Sequence, residues 1–254
     1  MMGRVLALVV WLLCLTPAQA QEEVVAGLSQ NSVALTVNFV GSDILIFGAV
    51  RRDGTIPDGP LDVVVTVEGP PQEATIWRKA RRAGIWVNTE SQNVRAAPSF
   101  YAVASTAPLT DILSPEADLD YRISTRLAIF EARSGGDVTD PAAFTEALIR
   151  IRTDEGLYQE GQTAVALERD TLFTTRITLP KNIVEGSYVA RIFLLRDGAV
   201  VDEHETFIEV RKAVLERWLY SLAYDQPAIY GLLSLFVAAF FGWGASALFR
   251  LMRS

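Results

Sequence analysis

The chain has 254 residues, 30 acidic and 23 basic side chains, a formal net charge of −7, one cysteine and one histidine. All 30 acids but only 20 of the bases fall within residues 21–229, a balance of −10 that argues against nucleic acid as a partner. So few thiol and imidazole groups leave little material for a disulfide framework, a cysteine nucleophile or a transition-metal site.

Residues 1–20 follow the order of a secretory signal: Arg4, an uncharged apolar run over 5–15, then Ala18-Gln19-Ala20 with small residues where a signal peptidase reads. The run makes roughly 16 Å of helix, short of the ~30 Å hydrocarbon core, which favours a removed signal over a retained anchor. Cys14 sits in this run behind Leu12-Leu13, an arrangement that argues against lipidation, and cleavage after Ala20 removes it.

The next stretch reads as strands. Val33, Leu35, Val37 and Phe39 alternate with Ala34, Thr36 and Asn38; a short apolar run covers 44–50; and Leu61, Val63, Val65 and Val67 alternate with Asp62 and Thr66. Asp53-Gly54, Asp58-Gly59-Pro60 and Gly69-Pro70-Pro71 mark turns between them. Further strands are expected at 74–78, 84–87 and 100–105. Residues 108–117, with Pro108 and Pro115, read as an interdomain linker.

Beyond the linker a strand is expected at 121–131 and a helix at 140–151. Asp140 is placed to cap that helix, Pro141 to begin it, and Phe144, Ala147, Leu148 and Ile151 to form its apolar stripe. Strands return at 172–179, 188–195 and 199–210, with Asp197-Gly198 as a hairpin turn. The fold class expected is mainly β: two immunoglobulin-like β-sandwich units, 22–107 and 118–210, the second with an inserted helix. One continuous sandwich is the alternative.

Residues 212–224 repeat apolar side chains at helical spacing (Leu215, Trp218, Leu219, Leu222), as an amphipathic helix at the membrane–water boundary or a core helix would. Pro227 separates this segment from the next. No charge occurs between Asp225 and Arg250, and the 21 residues of 229–249 give about 31 Å of helix, enough to span a bilayer. Arg250 and Arg253 follow, so the positive-inside tendency assigns 250–254 to the cytoplasm. The expected topology is a membrane crossed once, with the ectodomain outside the cytoplasm.

Catalytic chemistry is sparse. His204 lies mid-strand within Asp202-Glu203-His204-Glu205, and no nucleophile elbow, phosphate loop or dinucleotide fingerprint occurs. No enzyme activity, metal or cofactor is expected. Two constellations stand out instead. Arg78, Lys79, Arg81 and Arg82 put four cations in five residues, flanked by Trp77 and Trp86, which would suit an anionic ligand; the alternative is a solvated turn with both tryptophans in the core. In the membrane segment Ser234, Ala238, Gly242 and Ser246 recur every four residues, a small-residue stripe on which another helix could dock, or a chance alignment of residues common in such helices.

Several segments carry a resemblance: Trp77-Arg78-Lys79 with Gly84-Ile85-Trp86-Val87-Asn88, Phe100-Tyr101-Ala102-Val103-Ala104-Ser105, Phe144 through Gly156-Leu157-Tyr158, Leu179-Pro180 with Gly186-Ser187-Tyr188, and Gln226-Pro227-Ala228-Ile229-Tyr230-Gly231. In combination the chain resembles an uncharacterised transmembrane protein family of alphaproteobacteria, across nearly all of the mature sequence. That resemblance assigns no chemistry; it implies an accessory role beside a sulfite-exporter-type permease. The functional expectation is a non-enzymatic accessory or assembly subunit of a membrane transporter or other membrane complex, its helix docking an integral membrane protein or a second copy. The alternative is a periplasmic binding module for an anion, anionic lipid or polymer, using the cluster 78–82.

Overall fold

A computed structural model describes residues 22–36, 38–52, 54–57, 59–130, 140–212 and 222–252. The expected signal, 1–20, and residues 213–221 of the expected amphipathic helix lie outside the described residues. Lys212, the first residue of that expected helix, ends a strand, and 222–225 are helical.

Among the described residues, twelve strands run in chain order: β1 (Glu22–Leu28), β2 (Ser32–Leu35), β3 (Ser42–Arg52), β4 (Leu61–Glu68), β5 (Pro71–Arg82), β6 (Ile85–Pro98), β7 (Tyr101–Ser105), β8 (Tyr158–Ala164), β9 (Ala166–Glu168), β10 (Leu172–Leu179), β11 (Gly186–Arg196) and β12 (Ala199–Lys212). The helices are α1 (Leu109–Ile112), α2 (Pro115–Tyr121), α3 (Thr125–Phe130), α4 (Pro141–Asp154) and α5 (Pro227–Met252). They build a four-stranded sheet β1-β3-β10-β9, a six-stranded sheet β2-β12-β11-β4-β7-β8, and a separate β5-β6 hairpin.

The chain is mainly β, but strands from its two parts share both large sheets. β3 lies between β1 and β10, with Ile44 opposite Ile177 and Ile46 opposite Thr175. β4 pairs with β11, Val65 opposite Ile192 and Val64 opposite Phe193. Two self-contained sandwiches, 22–107 and 118–210, are therefore not how the strands pair. One buried cluster instead joins Val24, Ile44, Ile46, Phe173 and Ile177 of the smaller sheet to Val63, Val65, Ile192 and Leu194 of the larger.

β4 explains its own composition. It sits mid-sheet between β11 and β7, and Val63, Val64 and Val65 are all fully buried, so both of its faces are covered. A strand covered on both faces can be continuously apolar instead of alternating. On one side of this sheet the cover includes α2, whose Tyr121 ring meets Phe193 edge-on at 5.8 Å between centroids.

Where the sequence suggests a linker (108–117) and a strand (121–131), the structure has α1, α2 and α3, with residue 131 outside the described residues. Topology supplies the reason. β7 and β8 pair in parallel, Tyr101 opposite Tyr158, and a parallel pair needs a crossover that returns along the sheet. The described residues of 106–130 and 140–157 belong to that return and pack against the body. Ser114 caps α2 by accepting from the Ala117 amide at 3.2 Å, with Pro115 at the first helical position. Ile112, Ala117, Ile123 and Ile129 are buried, and Tyr101 holds the segment by donating its hydroxyl to the Ile123 carbonyl at 2.9 Å.

The expected helix at 140–151 is α4, extended to Asp154. Asp140 caps it, accepting from the Ala143 amide at 3.2 Å; Phe144 and Leu148 are buried while Ile151 is partly exposed. Asp197 and Gly198 join β11 to β12 with φ of 51° and 81°. Positive φ at both central positions fits a type I′ turn, the twist-matched connection of a two-residue hairpin.

Candidate functional site

The basic cluster lies on the β5-β6 hairpin, whose two-residue turn is Ala83-Gly84 with φ of 48° and 88°. Gly84 accepts that conformation without the cost a Cβ would add. Along β5, alternate residues point to opposite faces, so Ile76, Arg78, Ala80 and Arg82 share one face, and Trp77, Lys79 and Arg81 share the other. Cross-strand register adds Trp86 to the second face, directly opposite Arg81.

The two faces have different work. Ile76 is buried, and the Arg78 guanidinium lies 5.0 Å from the Phe144 ring centroid of α4 while pairing with Glu90 across the hairpin at 3.2 Å. Arg78 is thus committed to holding the hairpin against α4, a cation–π and ion-pair contact and not a free anion ligand. Lys79, Arg81 and Arg82 are exposed, and Arg81 makes only a long 3.4 Å contact to the Gly84 carbonyl. Trp77 is 55% exposed, Trp86 69% and Ile85 64%, so the tryptophans are surface residues and not the core residues of the alternative sequence reading.

Sequence reasoning named Arg78, Lys79, Arg81, Arg82 and Trp86 as one cluster. The structure keeps them on one hairpin but turns Arg78 and Arg82 to one face and Lys79, Arg81 and Trp86 to the other. It adds Trp77 and Ile85 as exposed apolar members. Period-2 alternation along 77–82 was the signal that could have separated Arg78 and Arg82 from Lys79 and Arg81; placing Trp86 also requires the two-residue turn at 83–84.

The second candidate region is α5. Its segment Pro227–Gly244 has a mean hydropathy of 1.6 and none of it is buried by the β body. Ser234 donates its hydroxyl to the Tyr230 carbonyl one turn back at 2.8 Å, so its polar group is satisfied within the helix. A Cβ added at Gly242 would meet nothing within 4 Å, and Ala238 is exposed. Ser234, Ala238 and Gly242 therefore form an uncovered strip; the Ser246 side chain lies outside the described residues.

Over residues 23–251 the sequence matches the family described as "Putative transmembrane protein (Alph_Pro_TM)". The chain belongs to this family. The match covers the β body and α5 together, so the Alph_Pro_TM chain is a membrane protein with a β-rich body and one apolar C-terminal helix. No curated protein matches it.

Burial pushes the hydroxyls of Tyr101 and Tyr158 well above the usual tyrosine range, keeping them neutral donors to the Ile123 and Pro98 carbonyls. Among the described residues no cluster of three or more His, Cys, Asp or Glu side chains is arranged to hold a metal. His204 sits mid-strand in β12 opposite Ile192.

Proposed function

We propose that this protein is a non-enzymatic accessory or assembly subunit of a membrane transporter or other complex in the bacterial inner membrane. Its β body stands in the periplasm, α5 crosses the bilayer once, and the segment from Arg250 onward lies in the cytoplasm. The observation that carries the reading is the uncovered length of α5: the body buries none of the span, so its surface is left to lipid and to other helices. Small residues at 234, 238 and 242 let a second helix come close enough for the van der Waals contact that drives association in lipid. The partner is an integral membrane protein, with a sulfite-exporter-type permease as the candidate implied by the resemblance, or a second copy.

Gly242→Leu tests this. Crosslinked pull-down from the native membrane should recover a membrane partner with the natural chain and lose most of it with the variant. Full recovery with Gly242→Leu would remove the docking reading. A second reading has its own observation: the exposed face formed by Trp77, Lys79, Arg81 and Trp86 suits a module that binds an anion, an anionic lipid or an anionic polymer.

A further inference from the structure

We infer that the β5-β6 hairpin is a second membrane contact, laying Trp77, Lys79, Arg81 and Trp86 against the anionic headgroups of the bilayer that α5 crosses. This deepens the binding-module reading, on which it rests, by naming the ligand.

Three observations converge. The first is charge. From Trp77 to Asn88 the hairpin carries four cations and no acid, on a body that is otherwise strongly acidic. A net acidic body is repelled as a whole by an anionic surface, so a basic patch free of acids favours both the contact and one orientation.

The second is the pairing of cations with tryptophan on one face. Trp86 lies directly opposite Arg81, and Trp77 is two residues along from Lys79 on the same face. A free phosphate would be served by the cations alone. Indole rings, half apolar and carrying one donor, prefer the headgroup layer, where ring and N–H are both accommodated. Ile85, opposite Arg82 on the other face, is 64% exposed beside the turn and adds apolar surface at the tip itself.

The third is topology. Val210 of β12 pairs with Gly186, where β11 begins; Val189 of β11 pairs with Glu68, where β4 ends; Glu68 pairs with Tyr101, where β7 begins. The hairpin leaves β4 and returns to β7 at that end of the sheet, which is also where β12 hands the chain on toward α5. At about 3.3 Å per residue, the 12 residues of β5 set the hairpin tip roughly 40 Å of strand away from that base.

The test uses the full chain in lipid nanodiscs with an environment-sensitive fluorophore at Asn88→Cys, in a Cys14→Ser background. Asn88 is exposed and pairs with Lys79 on the tryptophan face. Nanodiscs of phosphatidylcholine alone are compared with discs containing phosphatidylglycerol, each with headgroup nitroxide as quencher. A third arm adds soluble polyphosphate to the phosphatidylcholine discs and reads the fluorophore's emission. Quenching should appear in the phosphatidylglycerol discs and weaken with salt. Lys79→Glu with Arg81→Glu should remove it, shifting the docked-to-undocked ratio by roughly 30-fold or more. Arg176→Glu, the same type of charge change on the exposed face of β10, should leave it unchanged. A response to polyphosphate without quenching in phosphatidylglycerol discs would overturn the lipid contact and keep the binding module. No response in any arm would overturn both.

Discussion

Glu22, the first residue of β1, accepts two hydrogen bonds from Arg196, the last residue of β11, at 2.9 and 3.1 Å. Arg52 at the end of β3 adds a third at 2.7 Å, and all three side chains are less than a tenth exposed. Arg196 also donates to the carbonyl of Pro57 at 3.1 Å and to that of Gly59. One buried carboxylate therefore fastens the start of the body to both large sheets and to the turn before β4.

Removing that carboxylate leaves two guanidinium groups buried without their partner. Glu22→Ala is expected to cost about 3–5 kcal/mol, the range for breaking a buried ion pair from one side. Urea unfolding of the full chain in mild detergent measures it.

The same contact predicts an acid response. Burial alone would raise the Glu22 pKa, but the hydrogen bonds and charges of Arg196 and Arg52 outweigh it and hold the carboxyl below its usual 4.5. A depressed folded-state pKa contributes stability that is complete above the unfolded value and disappears as pH falls through the folded one. Melting temperature should therefore fall more steeply on acidification for the natural chain than for Glu22→Gln, in which this group no longer titrates.

The shared sheets predict that the chain cannot be divided at 108–117. Separating 22–107 from 118–212 breaks the β3-β10 and β4-β11 pairings, exposing the valines of β4 in the first piece and Ile192 and Phe193 of β11 in the second. Each should be unfolded or aggregated when expressed alone, by circular dichroism and gel filtration. A folded 22–107 piece would contradict the pairing scheme.

Gly198→Ala places a Cβ at φ of 81°, 3.3 Å from the Ser114 amide nitrogen. The strain should cost about 1–2 kcal/mol and lower the melting temperature, because both the turn and its contact with the α2 cap must adjust.

The hairpin's two faces should respond differently to truncation. Ile76→Ala removes a buried side chain and should cost about 2–4 kcal/mol, whereas Trp86→Ala, at an exposed position, should stay within about 0.5 kcal/mol. Parallel urea titrations compare them.

Local pattern revealed β3, β4, β7, β10, β11 and β12, α4 with its Asp140 cap, the Asp197-Gly198 turn and α5, because capping, alternation and apolar length are written in neighbouring residues; β1, β8 and β9, short or weakly alternating, went unread. Partner choice is not. That β3 pairs with β10 depends on residues more than 100 positions apart, and nothing in the 42–52 run names 172–179. The helices at 109–130 were missed for a related reason: Ile123 and Ile129 are apolar enough for a strand, and only the parallel β7-β8 pair requires a return path there. In the candidate site, composition located the cations, but alternation along β5 separated Arg78, committed to Glu90 and Phe144, from the face of Lys79 and Arg81, and cross-strand register placed Trp86 there.

Sidedness bears most directly on the proposed arrangement of body, span and tail. Single cysteines at Asn88 and Met252, each in a Cys14→Ser background, can be probed with a membrane-impermeant maleimide on intact spheroplasts and after lysis. Labelling at Asn88 in intact spheroplasts, with Met252 reacting only after lysis, is the expected result. Labelling at Met252 from outside, or protection of Asn88 until lysis, would contradict a periplasmic body carried on a single inward-ending helix.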